Sequence, residues 1–184
     1  AAGVSTGDYS IDNSLRFNDN DSAYLSRTPS TAGNRKTWTF SAWVKRGNIN
    51  INYPTLFSSA TNGTNYLVIR YNLSTDVLQV LNKDAGTNHL LLTANAVFRD
   101  ASAWYHIVLS VDTTQAVASN RAKIYINGEQ VTSFSQATYP AINFDTRVNL
   151  AAQHNISGST PVQSNQFFDG YLAEVNFVDG QALT

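Results

Sequence analysis

Two glutamates, Glu129 and Glu174, and three histidines, His89, His106 and His154, are the residues of this 184-residue chain best suited to acid–base chemistry. Cysteine is absent, which removes thiolate nucleophiles and any disulfide framework. Retaining cleavage of a glycosidic bond needs two carboxyl groups about 5–5.5 Å apart, one as nucleophile and one as acid. A strand supplies such a pair when carboxylates stand two residues apart, because alternate side chains share a face. Glu174, in "GYLAEVNFVD", has no carboxylate at 172, 176 or 178. Its expected neighbours on one face are Leu172, Asn176 and Val178. Glu129 follows Asn127-Gly128 and is expected at a solvated hairpin tip. No histidine sits beside a nucleophile-elbow pattern. His106, within "WYHIVLSVD", reads as a packed strand histidine, and His154 lies in the polar stretch "AAQHNISGS". No catalytic residue is expected, and the chain reads as a non-enzyme.

Binding chemistry is the alternative. Sugar recognition needs an aromatic ring for the C–H face of a pyranose and amides for its hydroxyls. Tyr53 and Tyr139 are loop aromatics; Asn50, Asn52, His154 and Asn155 supply hydrogen-bonding groups. The run "NININYP" alternates amide and apolar residues before Tyr53-Pro54. Trp38, Trp43 and Trp104 fall inside strand patterns and are expected in the core. Net charge is −1, charged residues make up 14%, and no basic run exceeds two residues. Neutralising nucleic-acid phosphates takes a concentrated positive face, so nucleic acid is not expected as a partner. No apolar run approaches the ~20 residues that span a bilayer, so membrane insertion by a helix is not expected either.

The elements that would position these residues are strands. "TWTFSAWVKRG" (37–47) alternates, with Trp38, Phe40, Ala42 and Val44 opposite Thr39, Ser41, Trp43 and Lys45. "NYLVIRYN" (65–72), "DVLQVLNK" (76–83), "HLLLTA" (89–94), "WYHIVLSVD" (104–112), "AKIYINGEQV" (122–131) and "RVNLAAQ" (147–153) continue the series. Asn127-Gly128 is a strong hairpin signal, since both central residues of a type I′ turn need positive φ. "DTTQAVASN" (112–120) could hold one short helical turn. About a dozen strands at this spacing predict one antiparallel β-sandwich. Loops are expected at 27–36, 47–54 and 154–166. Residues 1–13, beginning "AAGVSTGDYS", read as a small-residue linker or arm, with the domain at 14–184. The chain does not begin with Met and reads as a piece of a longer protein.

Taken in order, "SLRFNDNDSAYLS", "WTFSAWVKRG", "WYHIVLSVD", "KIYINGEQV" and "FDGYLAEVNFVDGQAL" resemble the laminin G-like branch of the concanavalin A-like lectin/glucanase superfamily. Matching segments run from about residue 14 to 183. The resemblance implies an all-β, two-sheet antiparallel jelly-roll sandwich in which "SLRF" pairs with "YLAEVNF". Glucanases of that superfamily carry a Glu-x-Asp-x-x-Glu motif, which this chain lacks. The resemblance also implies a possible calcium, with Asp19 and Asp21 of "FNDNDS" and Asp169 as ligands if the first and last strands pair. The other reading of "FNDNDS" is an Asx turn capping its own backbone. The closing wording is similar to laminin G-like domains of tailed bacteriophages. That similarity implies a virion surface or extracellular location, with other virion subunits and a cell-surface glycan as partners. The expected function is attachment to such a glycan. A structural decoration module is the alternative, and a glycan hydrolase of the same fold is a third.

Overall fold

The computed structural model describes residues 11–49, 52–158 and 166–184. Among these described residues, thirteen strands form two antiparallel sheets. The six-stranded sheet holds, in spatial order, β1 (Leu15–Phe17), β13 (Gly170–Asp179), β3 (Thr37–Arg46), β8 (Tyr105–Asp112), β9 (Ala122–Ile126) and β10 (Glu129–Gln130). The seven-stranded sheet runs β11 (Phe134–Thr138), β7 (Thr87–Val97), β6 (Val77–Asp84), β5 (Asn65–Tyr71), β4 (Thr55–Asn62), β12 (Gln153–Ile156) and β2 (Leu25–Arg27). First and last strands pair as the resemblance implied, with Leu15 opposite Leu172 and Phe17 opposite Gly170. The only helical turns among the described residues are short, at Asp19–Asp21 and Ala118–Asn120.

Alternation builds the interior. Trp38, Phe40, Ala42 and Val44 of β3 are fully buried, with Ile107, Leu109 and Val111 of β8 beside them. Leu67, Ile69 and Tyr71 of β5 and Leu78 and Val80 of β6 face them from the other sheet. Each fully buried Leu, Ile or Val contributes about 1.5–3 kcal/mol over its exposed state. Phe57 links the layers, its ring 5.1 Å from that of Phe40 and 5.8 Å from that of Phe177. Trp38 stacks on Phe177 and donates its indole N–H to Thr146 at 2.9 Å. Trp43 and Trp104 are not core: both are half-buried, and Trp43 stacks on His106 across the outer face of the six-stranded sheet. Period 2 had already set Trp43 opposite Trp38, and its face is the outward one.

Three further departures have local causes. "TLFSSATN" forms β4 although it does not alternate, because small side chains let both its faces be buried. The expected strand at 147–153 is irregular up to Ala152, and β12 begins at its last residue, Gln153, and runs to Ile156 inside the expected loop. Asn149, at φ +55, turns the chain there, and its side chain donates to the Asn34 carbonyl and to Asp179. Last, β13 carries a bulge. Ala173 is opposite Trp43 and Asn176 opposite Ser41, so three steps on one strand match two on the other. The extra residue is Glu174, at φ +47. The bulge shifts the phase, so Val175 and Phe177 pack inward and Glu174 is exposed, no longer in phase with Leu172.

Candidate functional site

Among the described residues, the predicted ligand residues do not gather in one place. Tyr53 precedes β4 at φ +46, with the Arg70 guanidinium 4.2 Å from its ring centroid, so one aromatic face is covered. Asn52 is exposed beside it, and Asn50 lies outside the described residues. Tyr139 follows β11 and packs half-buried against the core. His154 and Asn155 occupy β12, five strand spacings from β11, or roughly 24 Å at about 4.8 Å per strand. His154 turns inward beside Phe57, their ring centroids 6.0 Å apart. Its Nε2 accepts from the Asn149 N–H at 3.0 Å, and Nδ1 lies 2.8 Å from the Ala152 carbonyl. That pairing selects the neutral Nδ1–H tautomer. Burial lowers the His154 pKa from 6.5; the Ala152 hydrogen bond opposes the shift and the Arg27 charge adds to it. Asn155 points outward but is buried, accepting from Gln153 Nε2 at 2.8 Å.

The predicted calcium ligands do not form one donor set. Asp169 is buried and accepts both contacts of the Arg16 guanidinium, at 3.0 and 3.2 Å. Asp21 accepts from Asn18 Nδ2 at 2.8 Å, and Asn18 Oδ1 caps the Asn20 N–H at 3.2 Å. That is the Asx turn the sequence suggested. Among the described residues, no three His, Asp or Glu side chains group as metal ligands. Asp19, Asp21 and Asp169 are therefore not gathered into one set of carboxylate ligands.

A different place gathers hydrogen-bonding groups. On the outward face of the seven-stranded sheet, Arg70 of β5, Gln79 of β6, Thr93 of β7 and Gln136 of β11 stand in register. Arg70 Nε donates to Gln79 Oε1 at 3.0 Å, Gln79 Nε2 donates to Thr93 Oγ1 at 3.1 Å, and Thr93 Oγ1 donates to Gln136 Oε1 at 3.1 Å. Every bond in this chain runs one way, because Arg can only donate and each amide then has one end left. The chain ends at the exposed Gln136 with Nε2 available as a donor. Burial lowers the Arg70 pKa from its ordinary value, against the raising effect of Tyr66 and Tyr53.

Gln136 and Thr93 line an open groove of about 500 Å³ at the β6–β7–β11 side of the sheet. Asn95, near the end of β7, also lines it; its Nδ2 donates to Ser133 Oγ at 2.8 Å, which leaves Oδ1 as an acceptor. Ser135 adds a hydroxyl and Val97 an exposed apolar surface. Asn72, Ser74 and Thr75, from the β5–β6 turn, close one end. Val97, not an aromatic ring, is what this groove offers to a sugar's C–H face.

The turn is held rigidly. Arg46, whose side chain is fully buried, donates to Asp76 Oδ1 at 2.8 Å and to the Phe98 carbonyl at 2.6 Å. Its guanidinium lies 4.4 Å from the Tyr71 ring centroid. Burial pushes the Tyr71 hydroxyl well above its ordinary pKa, against the lowering effect of Arg46. Asp76 Oδ2 accepts from Arg99 Nε at 3.0 Å, and Arg99 lines the groove. One carboxylate thus ties the turn to both sheets. Period-2 reading missed this hydrogen-bond chain; the signal available was a polar residue breaking each apolar run, Gln79 in "VLQVL" and Thr93 in "LLLTA".

No carboxylate pair arises from the glutamates. Glu129 is exposed beside the Asn127–Gly128 turn, whose φ values of +53 and +84 match the predicted hairpin. It sits in β10, four strand spacings from β13 and Glu174, or roughly 19 Å. Both hydrolytic geometries need less than about 10 Å.

The groove sits on a fold shared with known proteins. The mouse laminin α1 chain, domains LG4–5, superposes with a TM-score of 0.62 at 11% identity, over 100% of this chain and 46% of that one. The enzymatically active domain of bacteriophage CBA120 tailspike protein 2 gives 0.60 at 14% identity, over 88% and 24%. Domain 4 of the extracellular arabinanase AbnA from Geobacillus stearothermophilus, in complex with arabinotriose, gives 0.57 at 17% identity, over 82% and 64%. The chain spans less than two thirds of the length of each of these three. No curated protein sequence matches it. A family model matches residues 17–184, nearly the whole chain, and the chain belongs to the concanavalin A-like lectin/glucanases superfamily.

Proposed function

We propose that this chain is a non-enzymatic glycan-binding module, with its ligand lying in the groove between β6, β7 and β11. The observation that carries the reading is the one-way hydrogen-bond chain from Arg70 to Gln136. It leaves a fixed amide donor, Gln136 Nε2, in the same groove as a fixed acceptor, Asn95 Oδ1. Vicinal hydroxyls both donate and accept, and a pre-oriented donor and acceptor recognise them at small entropic cost. The likeness to an arabinanase domain that holds arabinotriose supports a saccharide as ligand. The likeness to a phage tailspike supports the narrower reading that the module attaches a virion to a cell surface.

A glycan array with the purified chain tests the reading, followed by Gln136→Ala and Asn95→Ala against the best binder. Each substitution is expected to weaken binding about tenfold, the worth of one well-oriented hydrogen bond. Absence of binding to every glycan, bacterial polysaccharides included, would sink it. Structural docking onto neighbouring subunits is the second reading. It is favoured by an apolar cleft on the opposite side of the sandwich, lined by Leu15, Leu25, Ile156 and Leu172, with Leu15 55% and Leu25 47% exposed.

A further inference from the structure

The groove contains one charged side chain, Arg99, and no Asp, Glu or Lys among its lining residues. The remaining lining is neutral: Asn72, Asn95, Gln136, hydroxyls and apolar groups. We propose that the groove selects an acidic saccharide and that Arg99 binds its anionic group. The inference rests on the glycan-binding reading and adds the charge class of the ligand.

Charge balance supplies the first argument. Arg46 and Arg99 share the single carboxylate of Asp76, so the trio carries one excess positive charge. Arg46 and Asp76 are buried and cancel each other within the protein. Arg99 is 52% exposed, so the excess appears on the groove side. Geometry supplies the second. Arg99 is pinned through Nε, at 3.0 Å from Asp76 Oδ2. A guanidinium has five N–H donors, and the four on its terminal nitrogens form the fork that matches a planar carboxylate bidentately. Because Nε is already held, closing that fork on an anion immobilises less of the side chain. The third argument is chemical. An anion site next to fixed amide and hydroxyl groups suits an acid group carried on a polyhydroxylated ring, as in a uronic acid, rather than a free anion.

Isothermal titration with polygalacturonate and with its carboxyl-reduced neutral form measures the charge contribution directly. Dextran sulfate against dextran repeats the comparison for a sulfate group. The acidic polymer of at least one pair is expected to bind tenfold or more tighter than its neutral form, the weight of a charge-assisted hydrogen-bond pair. Arg99→Gln is expected to bring that ratio near one, and Arg99→Lys to restore part of it. Since Arg99 also contacts buried Asp76, a thermal melt accompanies each variant. Thr75→Asp supplies an independent arm: it adds a carboxylate at an exposed groove position and is expected to lower the ratio without touching the ion trio. Equal affinity for acidic and neutral polymers overturns the acid proposal and leaves the glycan reading standing. An acid preference that survives both Arg99→Gln and Thr75→Asp overturns the assignment to this groove. No binding of any of these four polymers overturns the acid proposal, and the glycan reading is then decided by the array.

Discussion

At the residue scale, the groove depends on an ion trio that the core must tolerate. Arg46 is fully buried, and its charge is balanced by Asp76. Removing one partner of such a pair leaves a buried charge uncompensated, at a cost of about 3–5 kcal/mol. Asp76→Ala is therefore expected to lower the urea midpoint steeply and to weaken ligand binding together with stability. His154 gives a pH signature. Its folded pKa lies below the ordinary 6.5, chiefly through burial. The unfolded chain then binds more protons than the folded one as pH drops through and below about 6.5, so stability falls with it. Above that value the full contribution is present. His154→Gln is expected to flatten the acid side of the stability profile between about pH 7 and pH 5, read by urea denaturation. The sequence offered His154 and Asn155 as ligand contacts because both stood in a polar stretch. What it did not show is that the stretch becomes β12, where one side chain turns into the sandwich and the other beneath neighbouring groups.

At the scale of elements, β13 is the strand on which the fold closes. Gly170 sits at φ +145, where only glycine is comfortable, and a Cβ there would come within 2.2 Å of the Lys45 carbonyl oxygen and 2.7 Å of the Phe168 ring. Gly170→Ala is expected to destabilise by ~2 kcal/mol or more through that clash and the backbone strain together, seen as a drop in melting temperature. Glu174, four residues on, holds the bulge that resets the inward phase to Val175 and Phe177. A non-glycine residue in the left-handed region costs roughly 1–2 kcal/mol. Glu174→Gly is expected to be tolerated or mildly stabilising, whereas Glu174→Val, β-branched, is expected to lower the melting temperature. Glu174→Gln is expected to leave glycan binding unchanged, because the groove lies on the other sheet.

At the scale of the whole molecule, the sandwich presents two unlike sides. One holds the polar groove between β6, β7 and β11; the other is the apolar cleft at the β1 and β2 edges. A module of this form can bind ligand on one side and dock on the other. Asp169 is engaged by Arg16, and Asp21 by Asn18. EDTA is therefore expected to leave the thermal transition where it is. A downward shift would reveal a bound divalent ion that these carboxylates do not explain.

Read alone, the residues determined the class of the fold. Period-2 alternation makes Trp38, Phe40, Ala42 and Val44 one face whatever they pack against, and Asn127-Gly128 dictates its turn through backbone sterics. The ordered set of strand segments pointed to the family, and the paucity of glutamates argued against a paired-carboxylate site. The groove was decided only by the tertiary structure. Thr93, Asn95, Arg99 and Gln136, with buried Gln79 bonded to Thr93, come from three strands and a following loop, and no local pattern relates them. Their alignment follows from strand order and register across the β6–β7–β11 pairing. The direction of the hydrogen bonds along them follows from one buried arginine that can only donate.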